Sequence, residues 1–307
     1  MVPPSGWLLV DKPCGVTSSR AVGAVRRFFK TKRVGYCGTL DPFASGLMLV
    51  CVGRATRLLP YTENWSKTYQ FTLCWGTQTD TGDPTGEVTE KSDVRPLKAD
   101  VLAALPGFTG AITQVPPVFS ALKVKGRRAC DLVRAGHEVV LKERAQVIES
   151  LSLLSHGAET SVFKVTCNRG TYVRTLAEDL ARALGTVGHL TALRRIGFGP
   201  FDVSSACPLD LLSEDGHNDG EGSLSLRDPR SLLDDIPAVA VSVTQALRLV
   251  QGAPVPVKTD FAGHVFGACC GQTVALCVVQ DGFLMAKVVL NDDVFGITSG
   301  DNNANKE

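Results

Sequence analysis

The sequence predicts an α+β protein with one large domain and a small β domain near its C-terminal end. Residues 67–76 alternate between apolar and polar side chains, as in a half-buried strand, whereas apolar residues recur at helical spacing between 21 and 29. Beyond an acidic, glycine-rich stretch, three more segments are strand-like, namely 239–243, 273–279 and 283–290. A chain of 307 residues is long enough to hold both domains.

The first elements follow from local signals. Residues 6–13 are typical of a strand that ends at Pro13. Thr17, Ser18 and Ser19 offer an N-cap, because a side-chain hydroxyl can accept a hydrogen bond from a free N–H group at the start of the helix that residues 21–29 indicate. Arginines and a lysine punctuate the same stretch, so we expect an amphipathic helix with a basic exposed side.

A glycine-rich loop with a single carboxylate follows this helix, over residues 35–47. Asp41 precedes Pro42, which disfavours the α conformation for Asp41, and the surrounding glycines permit a tight, irregular loop. The apolar run 47–53 is typical of a buried strand. The sequence therefore predicts an acid displayed on a stiff loop that a core strand anchors, although an isolated Asp-Pro pair is most often a surface turn.

Turn and helix signals organise the rest of the chain. The segment 79–88 is dense in turn formers and is interpreted as structural turns, since its carboxylates do not have the spacing of an EF-hand. Thr175 and Glu178 have capping-box spacing for a helix over 176–184, with Gly185 at its end. Arg174 is then expected just before that helix. Asp281-Gly282 predicts a hairpin turn between the last two strands.

The charge is distributed unevenly along the chain. Residues 1–200 contain 26 lysines and arginines against 16 acids, a net charge of +10, and residues 201–307 contain 6 against 15, a net charge of −9. A basic N-terminal part favours a polyanionic partner, because neutralising phosphates releases counterions. A solvated basic face without a partner is the alternative.

Several classes of protein are not indicated. No apolar run approaches the roughly 20 residues of a membrane-spanning helix, and we expect no secretory signal and a cytoplasmic protein. The ten cysteines form no C-x-x-C pair and are expected to be reduced core thiols. The five histidines do not cluster with them, so we expect no metal. The sequence has neither a G-x-G-x-x-G motif nor a P-loop, and no cofactor is expected.

The loop Gly35-Tyr36-Cys37-Gly38-Thr39-Leu40-Asp41-Pro42-Phe43-Ala44-Ser45-Gly46 resembles the signature of the TruB family of bacterial tRNA pseudouridine synthases. The segments 11–18, 53–57, 114–128, 170–176 and 189–197 are similar to further blocks of that family, in the same order. The resemblance implies a pseudouridine synthase fold, with a mixed, mostly antiparallel central sheet flanked by helices and a small PUA-like β domain.

The resemblance also implies roles for individual residues. Asp41 corresponds to the catalytic aspartate, and Arg174 to the arginine that pairs with it. Tyr69 and Leu193 correspond to residues that line the pocket, Tyr69 by packing against the target base. Expected contacts to RNA are Lys12, Arg20, Arg33, Lys123, Lys125, Arg127, Arg128 and Arg195. Phe119 stands where the family usually has a tyrosine, so a packing role is retained but a hydroxyl contact is not.

Four parts of the chain are expected. Residues 1–203 would form the catalytic domain, with an RNA-binding insertion at about 106–146. An acidic, partly disordered linker over 204–237 would lead to the β domain at 238–296, and residues 297–307 would be a disordered tail.

The expected function is isomerisation of uridine 55 in the T-loop of tRNA to pseudouridine. The uridine would be flipped into the pocket, where Asp41 would act as a nucleophile or as a base. One alternative is a non-catalytic protein that binds or folds tRNA on the same scaffold, and another is a hydrolase that acts on nucleosides. Guide-RNA-dependent synthases are disfavoured because the terminal domain is short and acidic. We expect tRNA as the partner, no required protein partner, and a monomer.

Tyr36 generates a first testable prediction, because the family commonly has histidine at this position, where it fills the gap that the flipped bases leave. Tyrosine can stack in that gap but cannot offer imidazole hydrogen bonds, so remodelling of the RNA should be slower than with histidine. The variant Tyr36→His is expected to turn over tRNA faster than the parent protein in single-turnover measurements. Equal binding and turnover in the two proteins would show that the position is inert here.

Overall fold

The structure is a computed structural model and describes residues 4–212, 225–258 and 261–291. The first elements are β1 (Gly6–Lys12), α1 (Ser18–Phe28), β2 (Val34–Cys37), β3 (Ser45–Val52), α2 (Leu59–Thr62), β4 (Lys67–Trp75), β5 (Thr77–Thr79), β6 (Val88–Lys91), α3 (Lys98–Ala104) and β7 (Gly110–Gln114). Next come β8 (Lys123–Val124), β9 (Arg127–Arg128), α4 (Ala129–Arg134), β10 (Arg144–His156), β11 (Thr160–Cys167), α5 (Val173–Ala183), β12 (Gly188–Phe198), β13 (Phe201–Asp202) and β14 (Cys207–Pro208). The last are β15 (Ala238–Ala240), α6 (Val243–Val250), β16 (Val255–Pro256), β17 (Gly263–Cys269), β18 (Gln272–Gln280) and β19 (Phe283–Val289).

A large mixed sheet forms the centre of the fold. Its strand order is β14-β1-β3-β12-β4-β11-β10-β7, and β2 and β13 pair with β3 and β12 at its sides. The pairs β1–β14 and β3–β12 are parallel, and the other described pairs of this sheet are antiparallel. The predicted fold class is therefore confirmed.

Helices cover one face of this sheet where their apolar residues meet it. α1 begins after Thr17, whose hydroxyl accepts the N–H of Arg20 at 3.1 Å, so the N-cap predicted within residues 17–19 is confirmed and is Thr17. Val22 and Val25 of α1 are buried in the same core as Phe71 of β4 and Phe163 of β11, whose rings stack at 5.1 Å. None of the helices in the described part of the chain is long and apolar enough to span a membrane.

A second, five-stranded sheet forms the small β domain. Its order is β15-β17-β18-β19-β16, and α6 packs on it with a capping box between Ser242 and Gln245. Asp281 and Gly282 have φ angles of 53° and 77°, so the predicted hairpin turn is confirmed. β17 and α6 were not predicted, because a helix of only two turns and a glycine-containing strand give weak periodic signals.

The segment expected to be a linker, 204–237, is structured at its two described ends. β14 pairs in parallel with β1, and the backbones of Arg227 and Trp7 exchange hydrogen bonds of 2.8 and 3.1 Å. Three leucines of this segment are buried, namely Leu212, Leu232 and Leu233. The described ends of the predicted linker therefore pack against β1 and the residues around it. The acidic stretch 214–223 and the predicted tail lie outside the described residues.

Helix α5 begins earlier than expected. It starts at Val173 after Tyr172, which makes no side-chain cap, so the predicted capping box of Thr175 and Glu178 is wrong. The amide side chain of Gln114 exchanges two hydrogen bonds with the backbone of Tyr172, at 3.1 and 3.2 Å, which fixes the chain just before the helix. Arg174 consequently lies in the first turn of α5. Gly185 follows the helix with a φ of 72°, as predicted.

Gly46 is a glycine that the sheet requires. Its φ is 107°, and a Cβ atom here would lie 2.2 Å from the carbonyl oxygen of Arg195, its partner in the parallel pair of β3 and β12. Gly46→Ala should therefore lower the free energy of unfolding by more than about 2 kcal/mol, which urea denaturation measures.

Gly23 provides the matched control, since it lies inside α1 and its added Cβ would meet no atom closer than 3.7 Å. Gly23→Ala should leave stability unchanged or raise it by up to about 1 kcal/mol. Equal stability of the two variants would contradict the packing described for Gly46.

Candidate active site

An open pocket of about 430 Å³ lies on the large sheet, beside the loop that carries Asp41. Among its lining residues are Tyr36, Asp41, Tyr69, Arg174 and Leu193, all of which the sequence singled out. They come from four separate segments of the chain, since Tyr36 and Asp41 share one loop, and the fold brings them together. A pocket of this size is large enough for a small ligand such as a nucleoside.

Asp41 forms an ion pair with Arg174 at the wall of the pocket. The distance from Nε of Arg174 to Oδ2 of Asp41 is 3.0 Å. The arginine side chain is 4% exposed, whereas the aspartate is 38% exposed. The acid therefore faces the pocket while its partner is held behind it.

The remaining N–H groups of Arg174 bind two further segments. Nη1 donates to the carbonyl oxygen of Thr81 at 2.7 Å, and Nη2 donates to that of Phe119 at 2.9 Å. Oδ2 of the buried Asp83 lies 3.9 Å from Nη1. A buried guanidinium that is paired and donates a hydrogen bond from each of its three nitrogens has little freedom to move. Its orientation, and with it the position of the Asp41 carboxylate, is therefore fixed.

Asp83 is the residue that sequence reasoning missed. The turns over 79–88 were interpreted as structural, yet they place this carboxylate beneath Arg174. Asp83 Oδ1 accepts hydrogen bonds from the hydroxyl of Thr81 and from the backbone N–H of Thr85, at 2.8 and 2.9 Å. The local pattern predicted the turn, but it did not predict that Asp83 would pair with Arg174, because the two residues are distant in sequence.

Opposing effects act on the pKa of Asp41. Burial raises it, the Arg174 guanidinium lowers it by charge and by its hydrogen bond, and the Asp83 carboxylate raises it. The net direction is upward from the ordinary value of an aspartate. Arg174 is therefore the principal group that keeps Asp41 ionised in this site.

Buried anchors hold the Asp41 loop from below. The hydroxyl of Ser18 donates to the carbonyl oxygen of Leu40 and accepts its N–H, at 2.8 and 2.9 Å. The ammonium of Lys12 donates to the carbonyl oxygen of Val16 at 2.6 Å and to that of Ala44. Burial lowers the pKa of Lys12 to about 8, which leaves the group mostly protonated at neutral pH.

Arg195 holds both ends of the same loop. Its Nε donates to the carbonyl oxygen of Leu47 at 2.6 Å and its Nη1 to that of Gly38 at 3.0 Å. Arg195 and Lys12 are fully buried, so neither side chain can reach a phosphate. The prediction that these two residues bind RNA is therefore wrong, and they support the loop instead.

Tyr69 and Leu193 form the floor of the pocket. Tyr69 lies on β4 opposite Arg195 of β12, and Leu193 lies two residues earlier on β12, so that it shares a face with Arg195. Burial raises the pKa of the Tyr69 hydroxyl, and the neighbouring guanidinium of Arg195 opposes this rise only in part. Tyr69 therefore remains neutral and offers an aromatic surface.

The remaining predicted contacts lie at the surface. Tyr36 lines the mouth of the pocket, with its hydroxyl 3.4 Å from that of Thr39. Six basic residues are exposed, namely Arg20, Arg33, Lys123, Lys125, Arg127 and Arg128. The last four belong to the hairpin of β8 and β9, where Arg128 pairs with Asp131 at 2.8 Å.

A larger cavity of about 670 Å³ lies between the two sheets and has Arg33 in its wall, but none of the residues named for the Asp41 pocket lines it.

Two solved structures contain a chain with a similar fold. The chain superimposes with a TM-score of 0.66 on a protein in "Structure of H/ACA RNP bound to a substrate RNA containing 2'-deoxyuridine", at 19% identity, covering 93% of this chain and 85% of that one. A Cbf5-Nop10-Gar1 complex contains a chain that matches with a TM-score of 0.65 at 21% identity, with the same coverage of both chains. At these identities the likeness concerns the fold alone.

Comparison of sequences gives the class and the family. Residues 26–173 match the profile "TruB family pseudouridylate synthase (N terminal domain)", and residues 174–229 match "tRNA pseudouridylate synthase B C-terminal domain". The protein is thus a pseudouridylate synthase, an enzyme of the isomerase class.

Within that class, the chain belongs to the TruB family. A protein of Bradyrhizobium diazoefficiens named tRNA pseudouridine synthase B is 44% identical over 295 residues, covering 93% of this chain and 86% of its own length. Its namesake in Rhodospirillum rubrum is 42% identical over 301 residues, covering 93% and 96%.

The balance of charges at Asp41 predicts a shift in pH dependence. Activity that needs an ionised Asp41 is lost as the pH falls through the pKa of that group. Because Arg174 lowers this pKa, Arg174→Gln should move the acid limb of the kcat/KM profile to higher pH. At pH 7 the variant should lose more than about tenfold in kcat/KM.

The conservative variant Arg174→Lys retains the positive charge without the planar fork, so its acid limb should lie between those of the parent and of Arg174→Gln. The position of the limb reports the charge at Asp41, whereas a loss of folded protein would only scale the rate. An acid limb at the same pH in all three proteins would exclude the electrostatic role of Arg174.

Proposed function

We propose that this protein isomerises uridine 55 in the T-loop of tRNA to pseudouridine. The observation that carries the proposal is the Asp41 carboxylate, which faces a nucleoside-sized pocket, is paired with a buried arginine and lies above an aromatic floor. The TruB relatives are named for action on tRNA, which supports the choice of tRNA as substrate.

The reaction needs few chemical groups. The N1–C1′ bond of the nucleotide breaks, the free base rotates, and a C5–C1′ bond forms. The proton on C5 is lost to solvent, and N1 gains one, so that substrate and product are isomers. An ionised carboxylate near C1′ and C6 is required, and Asp41 meets this need as nucleophile or as base.

The pocket residues would hold the base while it rotates. The target uridine must leave its stack to reach Asp41, which costs a few kcal/mol and is least costly in a loop. Tyr69 would stack on the extruded base, which contributes about 1–3 kcal/mol, and Leu193 would keep the floor of the pocket apolar. Tyr36 at the mouth would fill the gap that the base leaves in the RNA.

The exposed basic residues would bind the RNA backbone. Arg20, Arg33 and the β8–β9 hairpin are solvent-accessible cations outside the pocket. Their phosphate contacts would position the RNA without reading its sequence. We place the catalytic part at residues 1–203, with the hairpin in an RNA-binding insertion at about 106–146 and the small β domain at 238–296. We further propose a cytoplasmic monomer that needs no protein partner.

The main alternative is a tRNA-binding or tRNA-folding protein without catalysis, and a nucleoside hydrolase is the other. Neither is supported by the family, and a hydrolase would not account for the exposed basic surface. An unmodified tRNA that carries tritium at C5 of its uridines separates the three, because only isomerisation exchanges that label while the chain stays intact.

The parent protein should release tritium from the uridine at position 55 into water. Asp41→Asn should bind the same tRNA but release label at least about a thousandfold more slowly. Asp234→Asn, an exposed aspartate in the segment before the small sheet, is the matched control and should behave as the parent. Binding without release by the parent would favour the binding protein, and release from another uridine would overturn the assignment of position 55.

A further inference from the structure

The mouth of the pocket carries a second acid besides Asp41. Glu63 is the other carboxylate among the described residues of the pocket wall, and its Oε2 pairs with Nη1 of Arg169. Glu63 follows α2, whereas Arg169 lies in the loop between β11 and α5. The ion pair therefore joins two segments, 106 residues apart, that border the same opening.

The loop that presents Arg169 is fixed without this ion pair. The N–H of Asn168 donates to the carbonyl oxygen of Val147 at 3.0 Å, and its side-chain oxygen accepts the N–H of Val147 at 3.2 Å. The hydroxyl of Thr171 donates to the same side-chain oxygen at 2.8 Å. Tyr172 is held by Gln114. Arg169 would therefore stay at the mouth of the pocket if Glu63 released it.

Release would cost little free energy. The side chain of Arg169 is 60% exposed and that of Glu63 is 42% exposed. Exposed ion pairs contribute about 0.2–1 kcal/mol, because water solvates both groups when they separate. A guanidinium binds two oxygens of a phosphate as well as it binds those of a carboxylate. Arg169 can thus exchange one anion for the other.

We propose that Glu63 and Arg169 form an exchangeable ion pair, in which a phosphodiester of the bound RNA replaces the Glu63 carboxylate on Arg169. The proposal rests on the proposed function, since it concerns RNA at the same pocket. Arg169 is then a positioning residue for the backbone beside the extruded nucleotide. Glu63 repels RNA that enters without placing a phosphate on Arg169, and so it lowers affinity at the pocket mouth.

The repulsive role of the Glu63 carboxylate is tested by measuring the dissociation constant (Kd) of an unmodified tRNA transcript. Glu63→Gln should lower Kd about two- to fivefold, because it removes a repulsive charge and frees Arg169. Glu159→Gln is the matched control: it makes the same change of charge in another exposed ion pair, Arg95–Glu159 at 3.0 Å. This pair lies at the far end of β4, roughly 26 Å along the strand from the pocket residue Lys67.

The phosphate contact of the Arg169 guanidinium is tested by measuring how the same Kd depends on salt concentration. Arg169→Gln should weaken binding and reduce the slope of log Kd against log salt concentration by about 1, as expected for one lost phosphate contact. Arg95→Gln, its matched control, should keep the parent slope and the parent activity. An ion pair that only clamps the loop predicts a different result, namely weaker binding for Glu63→Gln as well.

Tritium release by the parent protein separates the two proposals. If the parent isomerises tRNA but Glu63→Gln binds no tighter than Glu159→Gln, or Arg169→Gln keeps the slope of Arg95→Gln, the exchange is excluded and the enzyme function stands. If the parent releases no label, the function itself fails.

Discussion

The buried guanidinium of Arg174 is the interaction on which the pocket depends. Its N–H groups bind the carboxylate of Asp41 and the carbonyl oxygens of Thr81 and Phe119, and the side chain is almost inaccessible to water. Leaving such a cation without partners inside a protein costs several kcal/mol. The turns over 79–88, the segment around Phe119 and the Asp41 loop must therefore converge on the first turn of α5. The same contact fixes the geometry of the site and the ionisation of its acid.

A rigid support lies under the loop that presents the acid. The basic side chains of Lys12 and Arg195 donate hydrogen bonds to carbonyl oxygens of this loop and are not available to bind RNA. Since their donors are buried, the loop cannot shift without leaving them unpaired. The carboxylate of Asp41 nevertheless remains partly open to the pocket. A reactive group held in place before its substrate arrives is what efficient catalysis requires.

Local patterns predicted the parts of the fold that local physics determines. The N-cap within residues 17–19, the strand β4 and the Asp281-Gly282 turn depend on residues close in sequence, and all three are present. The burial of Lys12 and Arg195 was not predictable, because a lysine or arginine has the same pattern whether it meets a phosphate or a carbonyl oxygen. Asp83 was missed for a related reason: its partner Arg174 is 91 positions away. Contacts between residues that are distant in sequence form only in the folded protein, so the pattern of a single segment cannot predict them.

The crystal structure of the Asp41→Asn variant in complex with an unmodified tRNA is the most direct test of this site. We expect the target uridine to be extruded, its base to stack on Tyr69, and its C1′ atom to lie beside the side chain of residue 41. Arg174 should still donate to Thr81 and Phe119 behind it. A uridine bound elsewhere, or one that remains stacked in the RNA while the pocket stays empty, would contradict the assignment of Asp41 as the catalytic group.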